Sequence, residues 1–314
     1  MIATAAQVRN ELVVLVRTWA LPVAVIVALA LTLGNVLNGV NAVTTSVAQL
    51  TQTRAMYAEN GMDFEAALRA PVTVTGSGSM SEIDNFARYD YDTLVAAVAA
   101  LRPEATVNET LGYLSFVLFP ALFFLLGLWL STVQRARGFE KTTLVRVGPR
   151  RMVLARQSAV VVAGLAVTGV SVTIDVVARG VARVAVERVA SFEQYPPLHP
   201  LPESAVGQQL VVCALVVVCC GWAGIATGAL AGSFAIPAIV FVAYNYVVPV
   251  LVAWDPRNWL LVLGHGAFEP SPGFTMATSV PMDGLLALIA VVIGAIVAGL
   301  GAQVATRARN PLAV

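Results

Sequence analysis

The residues that could carry out chemistry in this 314-residue chain are few and scattered. Cys213, Cys219 and Cys220 fall within one apolar run, and both histidines lie outside that run. This spacing matches neither a zinc site nor an extracytoplasmic disulfide framework, so we interpret the cysteines as small packing residues. The single lysine, Lys141, follows Gly-Phe-Glu and not a phosphate-binding glycine loop. We therefore predict no metal, no cofactor and no ATP bound by that route.

Motifs of hydrolytic enzymes are also missing from the sequence. It contains no His-Glu-x-x-His, no Gly-x-Ser-x-Gly and no pair of aspartates within an apolar run. Asp175 alone lies inside an apolar run, where an ionisable residue is a functional candidate. Because Arg179 follows four residues later near the end of that run, an ion pair at the membrane interface is the favoured interpretation. The chain is predicted not to be an enzyme.

Composition indicates an integral membrane protein. Hydrophobic residues make up 58% of the chain and charged residues 12%, whereas soluble domains carry about 25% charged residues. Because the cations are grouped by side of the membrane, the net charge of +1 gives no reason to expect nucleic acid as a partner. The partner that composition does require is the lipid bilayer.

Six apolar runs approach the roughly 20 residues that a helix needs to cross a bilayer. They predict an all-α, polytopic membrane protein with one permease-like domain over 1–314 and spans at 19–38, 111–130, 158–178, 206–230, 234–253 and 283–304.

The N-terminal region admits two interpretations. Residues 1–18 mix charged and apolar residues at helical spacing, which predicts an amphipathic helix on the inner membrane surface. A signal peptide is the alternative, with Val40-Asn41-Ala42 as a possible cleavage site. The apolar stretch from Trp19 to Leu37 is long for a signal peptide, which favours a retained first span.

Charge sets the expected orientation. The loop at 131–157 carries seven cations and one acid, Glu140, and such loops remain cytoplasmic. Both termini then lie on this same cytoplasmic side of a plasma membrane. The cytoplasmic side then holds eleven cations and two acids, Glu11 and Glu140. These cations are Arg9, Arg17, Arg135, Arg137, Lys141, Arg146, Arg150, Arg151, Arg156, Arg307 and Arg309.

Two segments are expected outside. Residues 39–109 carry nine acids and four arginines and read as a helical extracytoplasmic insertion. It could be a simple lid, or a docking site or exit gate.

In the outer loop at 254–282, the segment from Asn258 to Leu263 is too short to cross the membrane and too apolar to lie in water. We predict a re-entrant half-helix there, with ends buried by protein.

The cytoplasmic loop has internal order. Phe139 to Val147 can form a short helix, which Gly148-Pro149 ends because proline removes a donor and disfavours helix before it. On charge alone, the basic residues would only fix topology and contact anionic lipid head groups.

The run E-K-T-T-L-V-R-V-G-P-R-R-M-V-L-A-R resembles the cytoplasmic loop of ABC-2-type transporter permeases, whose loose pattern is E-x-G-T-L, then P, a basic residue and a helix. Thr142 stands where that family has glycine. The resemblance implies a coupling helix that docks on a separate ATP-hydrolysing subunit. It also extends to an N-terminal elbow helix and to the half-helix between spans five and six. The implied coupling residues are Phe139, Glu140, Thr143, Leu144, Pro149 and Arg150.

The resemblance also implies a second permease subunit, identical or related, with a substrate path at the seam formed by spans two and five. An aromatic lining would suit export of an amphipathic or apolar substrate such as a drug, a peptide or a lipid. The expected lining residues are Phe116, Phe119, Phe123, Tyr244 and Asn245.

Two other functions remain open on the sequence. A non-transporting scaffold would hold a partner through its extracytoplasmic segment. A secondary transporter would run on an ion gradient, with ionisable residues near the midplane or repeated halves with broken helices, and neither is evident in the sequence.

Overall fold

The computed structural model describes residues 2–75, 82–198, 205–269 and 276–308, so Arg309 lies outside the described residues. Apart from one small β-hairpin, the regular elements of these residues are helices, and five of them are long and apolar enough to cross a membrane. The protein is therefore helical and multi-pass, as composition predicts.

The elements follow one another with short connections. Their order is α1 (Ile2–Arg17), α2 (Ala20–Glu59), α3 (Phe64–Arg69), β1 (Val74–Thr75), β2 (Glu82–Ile83), α4 (Phe86–Ala100), α5 (Pro103–Tyr113), a π-helical turn (Leu114–Leu118), α6 (Phe119–Ala136), α7 (Glu140–Val147), α8 (Pro149–Val186), α9 (Val206–Ala231), α10 (Ala235–Tyr246), α11 (Pro256–Ala267) and α12 (Gly284–Ala308). The five long candidates are α2, the run from α5 through α6, α8, α9 and α12.

The longest helices continue past the predicted ends of their spans. The sequence predicts that the first span ends near residue 38 and the third near 178, but α2 has 40 residues and α8 has 38. At 1.5 Å per residue each is nearly 60 Å long, about twice the thickness of the hydrocarbon core. The Asn and Gly residues of 34–41 weaken a helix by up to about 1 kcal/mol each, and packing of α2 against α4 and α8 outweighs that cost.

The second half of α2 belongs to the predicted insertion at 39–109, and the end of α8 packs beside it. With α4 they bury a small second core that contains Val43, Leu94, Val98 and Phe192. Arg102 donates to the Phe192 carbonyl at 2.5 Å and stacks over its ring. These contacts make the described part of the insertion a packed cap continuous with the membrane helices.

The tightest helix pair in the described bundle is α6 with α9. Glycines allow their backbones to touch: a Cβ on Gly127 would overlap the Gly221 carbonyl oxygen. A Cβ on Gly224 would overlap the Phe124 carbonyl oxygen and come within 3.0 Å of the Leu128 nitrogen. Small residues at such crossings let the backbones approach closely. Helices in lipid then associate through van der Waals packing, because the hydrophobic effect does not act between them.

The predicted fifth span, 234–253, differs from the observed helix. α10 has 12 residues and ends at Tyr246, so it is about 18 Å long against a hydrocarbon core of about 30 Å. Pro249 explains the end, because it lacks an amide donor and disfavours helix in the residue before it. Among the residues of α10 only Pro237 is buried, and Ile236 and Ile239 are 71% and 70% exposed.

A buried charged cluster joins α4, α5 and α8. Arg179 forms ion pairs with Asp175 at 2.9 Å and with Glu109 at 2.8 Å, and it also donates to the Ala100 carbonyl. The predicted pair of Asp175 and Arg179 is present, but the side chains are only 1% and 4% exposed. It lies inside the protein because Glu109 and the end of α4 cover it, which no pattern in the sequence indicates.

We predict that Gly224→Ala lowers the midpoint of thermal unfolding in detergent, with a cost of at least about 1–3 kcal/mol from overpacking. Gly169 on α8 is the matched control, since a Cβ there meets nothing within 4 Å. Gly169→Ala should leave stability unchanged or raise it by up to about 1 kcal/mol. Equal effects of the two variants would contradict the close contact between α6 and α9.

We predict that Arg179→Gln destabilises the protein by about 3–5 kcal/mol, because two carboxylates lose their buried partner. Thermal unfolding in detergent measures this loss of stability. Arg188→Gln is the control, because Arg188 is exposed and lies two residues after α8. Adding Glu109→Gln and Asp175→Asn to Arg179→Gln should recover part of the loss. A triple variant less stable than Arg179→Gln would contradict the charge argument.

Candidate functional site: an apolar cavity and the α7 surface

An apolar cavity of about 540 Å³ lies between the start of α6, α9, α10, α11 and α12. Its volume is within the range of about 300–1,000 Å³ typical of small-molecule sites. Aromatic and aliphatic side chains form most of its wall, and a few polar groups of α10 and α11 lie on one side. The lining includes Phe116, Phe124, Phe241, Tyr244, Asn245 and Trp259.

The π-helical turn gives the cavity one of its walls. A π-helical turn widens the backbone and removes the regular hydrogen bond to one carbonyl, and such turns occur frequently at functional sites. The Tyr246 hydroxyl donates to the Val117 carbonyl at 2.5 Å and thereby joins the end of α10 to the turn. α10 is also held by Phe241, which stacks on Phe124 with ring centroids 3.7 Å apart.

Arg257 holds the non-helical chain that follows α10. Its guanidinium donates to the carbonyls of Tyr244, Val248 and Pro249, at 2.6 Å for Tyr244 and 3.0 Å for Pro249. It also pairs with Asp255 at 2.6 Å and lies 4.1 Å from the centroid of the Tyr244 ring. A cation at the end of a helix stabilises the last carbonyls, which have no partner within the helix.

The five predicted lining residues divide into two groups. Phe116, Tyr244 and Asn245 line the cavity. Phe119 and Phe123 are 0% exposed in the main core, with ring centroids 4.9 Å apart. The structure therefore brings three of the five residues together, and the assignment of all five to a substrate path stays a prediction.

α11 covers one side of the cavity. Side-chain amides form hydrogen bonds with the backbone groups at and near its ends. Asn108 donates to the Glu269 carbonyl at 3.0 Å and accepts from its amide at 3.2 Å. Gln209 donates to Asn108 and to the Ala267 carbonyl. Asn258, 0% exposed, donates to the Val280 carbonyl and accepts from its amide. A buried short helix needs such partners at both ends.

At the other end of the bundle, α7 is the short helix expected in the basic loop. Two of its predicted coupling residues face inward: Leu144 is 2% exposed and Glu140 is 8% exposed. Glu140 pairs with Arg135 of α6 at 2.8 Å. These contacts fix α7 across the ends of α6 and α8.

The other predicted coupling residues lie at the helix ends or on the surface. Phe139 is 64% exposed and Arg150 is exposed. The Thr143 hydroxyl donates to the Phe139 carbonyl at 3.0 Å. Pro149 is the first residue of α8, directly after Gly148, whose φ of 79° ends α7. The surface available to a partner therefore consists of Phe139, Arg150 and the exposed face of α7.

A buried polar network ties α1 to the same place. Glu11, 0% exposed, accepts hydrogen bonds from Gln7 at 3.2 Å and from Gln134 at 3.1 and 3.0 Å. Arg156, 1% exposed, donates to the Gln134 side-chain oxygen at 3.2 Å. One amide thus links a buried carboxylate on α1 to a buried guanidinium on α8.

Sequence reasoning missed this network, the Arg257 contacts and the role of Glu109. One signal was available for the first: Glu11 and Glu140 are the two acids in the segments that the sequence predicts to lie with the cations on the cytoplasmic side. Both are buried and hydrogen-bonded. No comparable signal existed for Arg257, since its partners include backbone carbonyls.

Metal-ligating groups do not cluster among the residues that the structure describes, and Cys213, Cys219 and Cys220 are free thiols. Cys219 and Cys220 line the apolar cavity. Comparison with models of known protein families, with curated proteins and with solved structures gave no match. The functional argument therefore depends on the geometry of the site.

We predict that Arg257→Gln accelerates amide hydrogen exchange in residues 244–255, because three carbonyls of this segment lose a charged donor. Exchange measured by mass spectrometry in detergent should rise there and stay unchanged in α9. Arg188→Gln, which removes an exposed arginine distant in sequence, is the control. Unchanged exchange in 244–255 would mean that Arg257 does not hold the segment.

Proposed function

We propose that the chain is the membrane-spanning permease subunit of an ATP-driven exporter of the ABC-2 type. The observation that carries the proposal is α7, a short helix fixed across the ends of α6 and α8 by Glu140 and Leu144. Its outer surface combines the exposed Phe139 and Val145, 64% and 79% exposed, with Arg150 nearby. A separate ATP-hydrolysing subunit would bind this surface, since the sequence lacks a phosphate-binding loop.

The proposed topology keeps six crossings, with α10 and α11 together forming the fifth. Contacts along α5 and α6 support this order: Phe234 packs on Trp129, and Tyr246 bonds to Val117. The backbone just after α11 then accepts a hydrogen bond from Asn108 of α5. In this topology both termini lie on the cytoplasmic side with the basic loop, α1 is the elbow helix, and the segment predicted to be re-entrant, now α11, forms the outer half of the fifth crossing.

The proposed cargo is amphipathic or apolar, because the cavity wall is apolar with Tyr244 and Asn245 at one side. Movement of α7 would be transmitted to α6 through Arg135 and Glu140, and α6 carries cavity residues. A second permease subunit would cover the exposed face of α10 and complete the path. Phe119 and Phe123 would join that path only in a conformation in which α6 moves out of the core.

Affinity purification of the tagged full chain in mild detergent, with co-purifying chains identified by mass spectrometry, tests this function. A stoichiometric partner with a Walker A motif is the expected result. A preparation without any ATPase, reproduced in several detergents, would overturn the proposal.

We predict that Pro149→Ala with Arg150→Ala reduces both the recovery of the ATPase subunit and substrate export, by roughly tenfold if the two contacts together contribute about 1.4 kcal/mol. Membrane insertion should be unchanged. Arg188→Ala, on a different loop, is the control. Normal export at normal expression would exclude α7 and its flanks from coupling.

An ion-driven secondary transporter is the second candidate, and two structural observations favour it. The chain between α10 and α11 is a break of the kind that forms binding sites in such transporters, and the Asp175, Glu109 and Arg179 cluster is buried within long apolar helices. The purified chain alone in liposomes, given a proton or sodium gradient, would then move substrate. The ABC-2 proposal predicts no transport in that assay.

A further inference from the structure

A second cavity, of about 520 Å³, opens between α1, the end of α6 and α7. The function proposed above uses Phe139 of its lining as part of the α7 surface and gives no role to the rest of this cavity. Its buried wall includes Glu11, and its exposed edge carries Arg137 and Arg146. Val14 and Val133 supply an apolar part of the wall.

The charges around this cavity do not cancel. Glu11 and Arg156 offset each other through Gln134, as described above, and Glu140 is paired with Arg135. Arg137 and Arg146 form no ion pair with any residue in the described ranges. Two positive charges therefore remain at the mouth of a cavity whose buried acid is already satisfied by hydrogen bonds.

The cavity lies beside a surface suited to the membrane interface. On α1, Val13 and Val16 are 39% and 51% exposed, and Trp19 at its end is 68% exposed. The Trp129 indole N–H donates to the Thr18 hydroxyl at the same corner, at 3.0 Å. Tryptophan is enriched where hydrocarbon meets head groups, so α1 and the cavity beside it are at head-group depth.

We propose that this cavity binds the head group of an anionic phospholipid. The phosphate oxygens accept hydrogen bonds from Arg137 and Arg146, since guanidinium groups bind phosphate in a forked, charge-assisted geometry. Val14 and Val133 contact the glycerol region. The lipid is then held between α1 and α7. This site does not depend on ATP-driven export, because the chain alone contains every residue involved.

Native mass spectrometry of the purified full chain in detergent tests the site. The chain is titrated with dioleoyl phosphatidylglycerol or with dioleoyl phosphatidylcholine, which share acyl chains and differ in net charge. We expect tighter binding of phosphatidylglycerol. Arg137→Gln with Arg146→Gln should weaken it roughly 10- to 30-fold, at about three- to fivefold for each cation, and leave phosphatidylcholine binding unchanged.

Arg150→Gln with Arg151→Gln is the matched control, since it removes the same charge from the same loop but from residues that do not line the cavity. It should leave phosphatidylglycerol binding unchanged. An equal loss in both double variants would show diffuse surface attraction and overturn the site. Equal affinity of the unchanged chain for the two lipids would also overturn it, whether or not the variants fold.

A third arm distinguishes a lipid from a soluble phosphate. Glycerophosphoglycerol carries the same phosphodiester without acyl chains and should not displace bound phosphatidylglycerol at equal concentration. Displacement at equal concentration would identify the ligand as a soluble anion and reject the lipid. Gel filtration and thermal unfolding of each variant establish that the compared proteins are folded.

Discussion

A hydrocarbon core offers no water to pair with a free backbone N–H or C=O, so each interruption of a membrane helix needs a partner from the protein. The described chain meets this constraint with a few side chains. Tyr246 donates to the carbonyl of Val117 in the π-helical turn, and Arg257 donates to one carbonyl in the last turn of α10 and to two that follow it. Asn108 and Gln209 donate to carbonyls at the end of α11. With its end held in this way, α10 forms one wall of the apolar cavity, and α12 forms another.

Charged residues inside the bundle act at its two ends. At one end Glu11 and Arg156 meet through Gln134, and at the other Arg179 holds Asp175 and Glu109. Buried ion pairs add little net stability, but removing one partner is costly. Each group therefore selects one arrangement of three helices. The first arrangement fixes α1 against the helices that carry α7, and so it defines both the α7 surface and the cavity whose exposed edge carries Arg137 and Arg146.

The sequence indicates the membrane class, most of the long helices and the short helix before Gly148-Pro149, because hydropathy, charge and proline act locally. It does not indicate that α2 continues unbroken past the predicted end of its span, because packing against α4 and α8 overcomes the weak helix propensity near residues 34–41. Nor does it indicate the partners of Arg257. A side chain that binds backbone carbonyls produces no pattern of complementary residue types, and so only the folded chain reveals it.

The division of the aromatic residues of α6 has the same kind of cause. Phe116, Phe119 and Phe123 follow the spacing i, i+3, i+7, which puts all three on one stripe of a regular α-helix. The π-helical turn at Leu114–Leu118 inserts an extra residue into one turn, which rotates the preceding side chains by about 100° relative to those that follow. Phe116 consequently lines the cavity, and its ring centroid lies 5.7 Å from that of Phe268. Phe119 and Phe123 instead pack into the core. A helix that lost the extra residue would realign Phe116 with the other two rings and give up the wall it now supplies to the cavity.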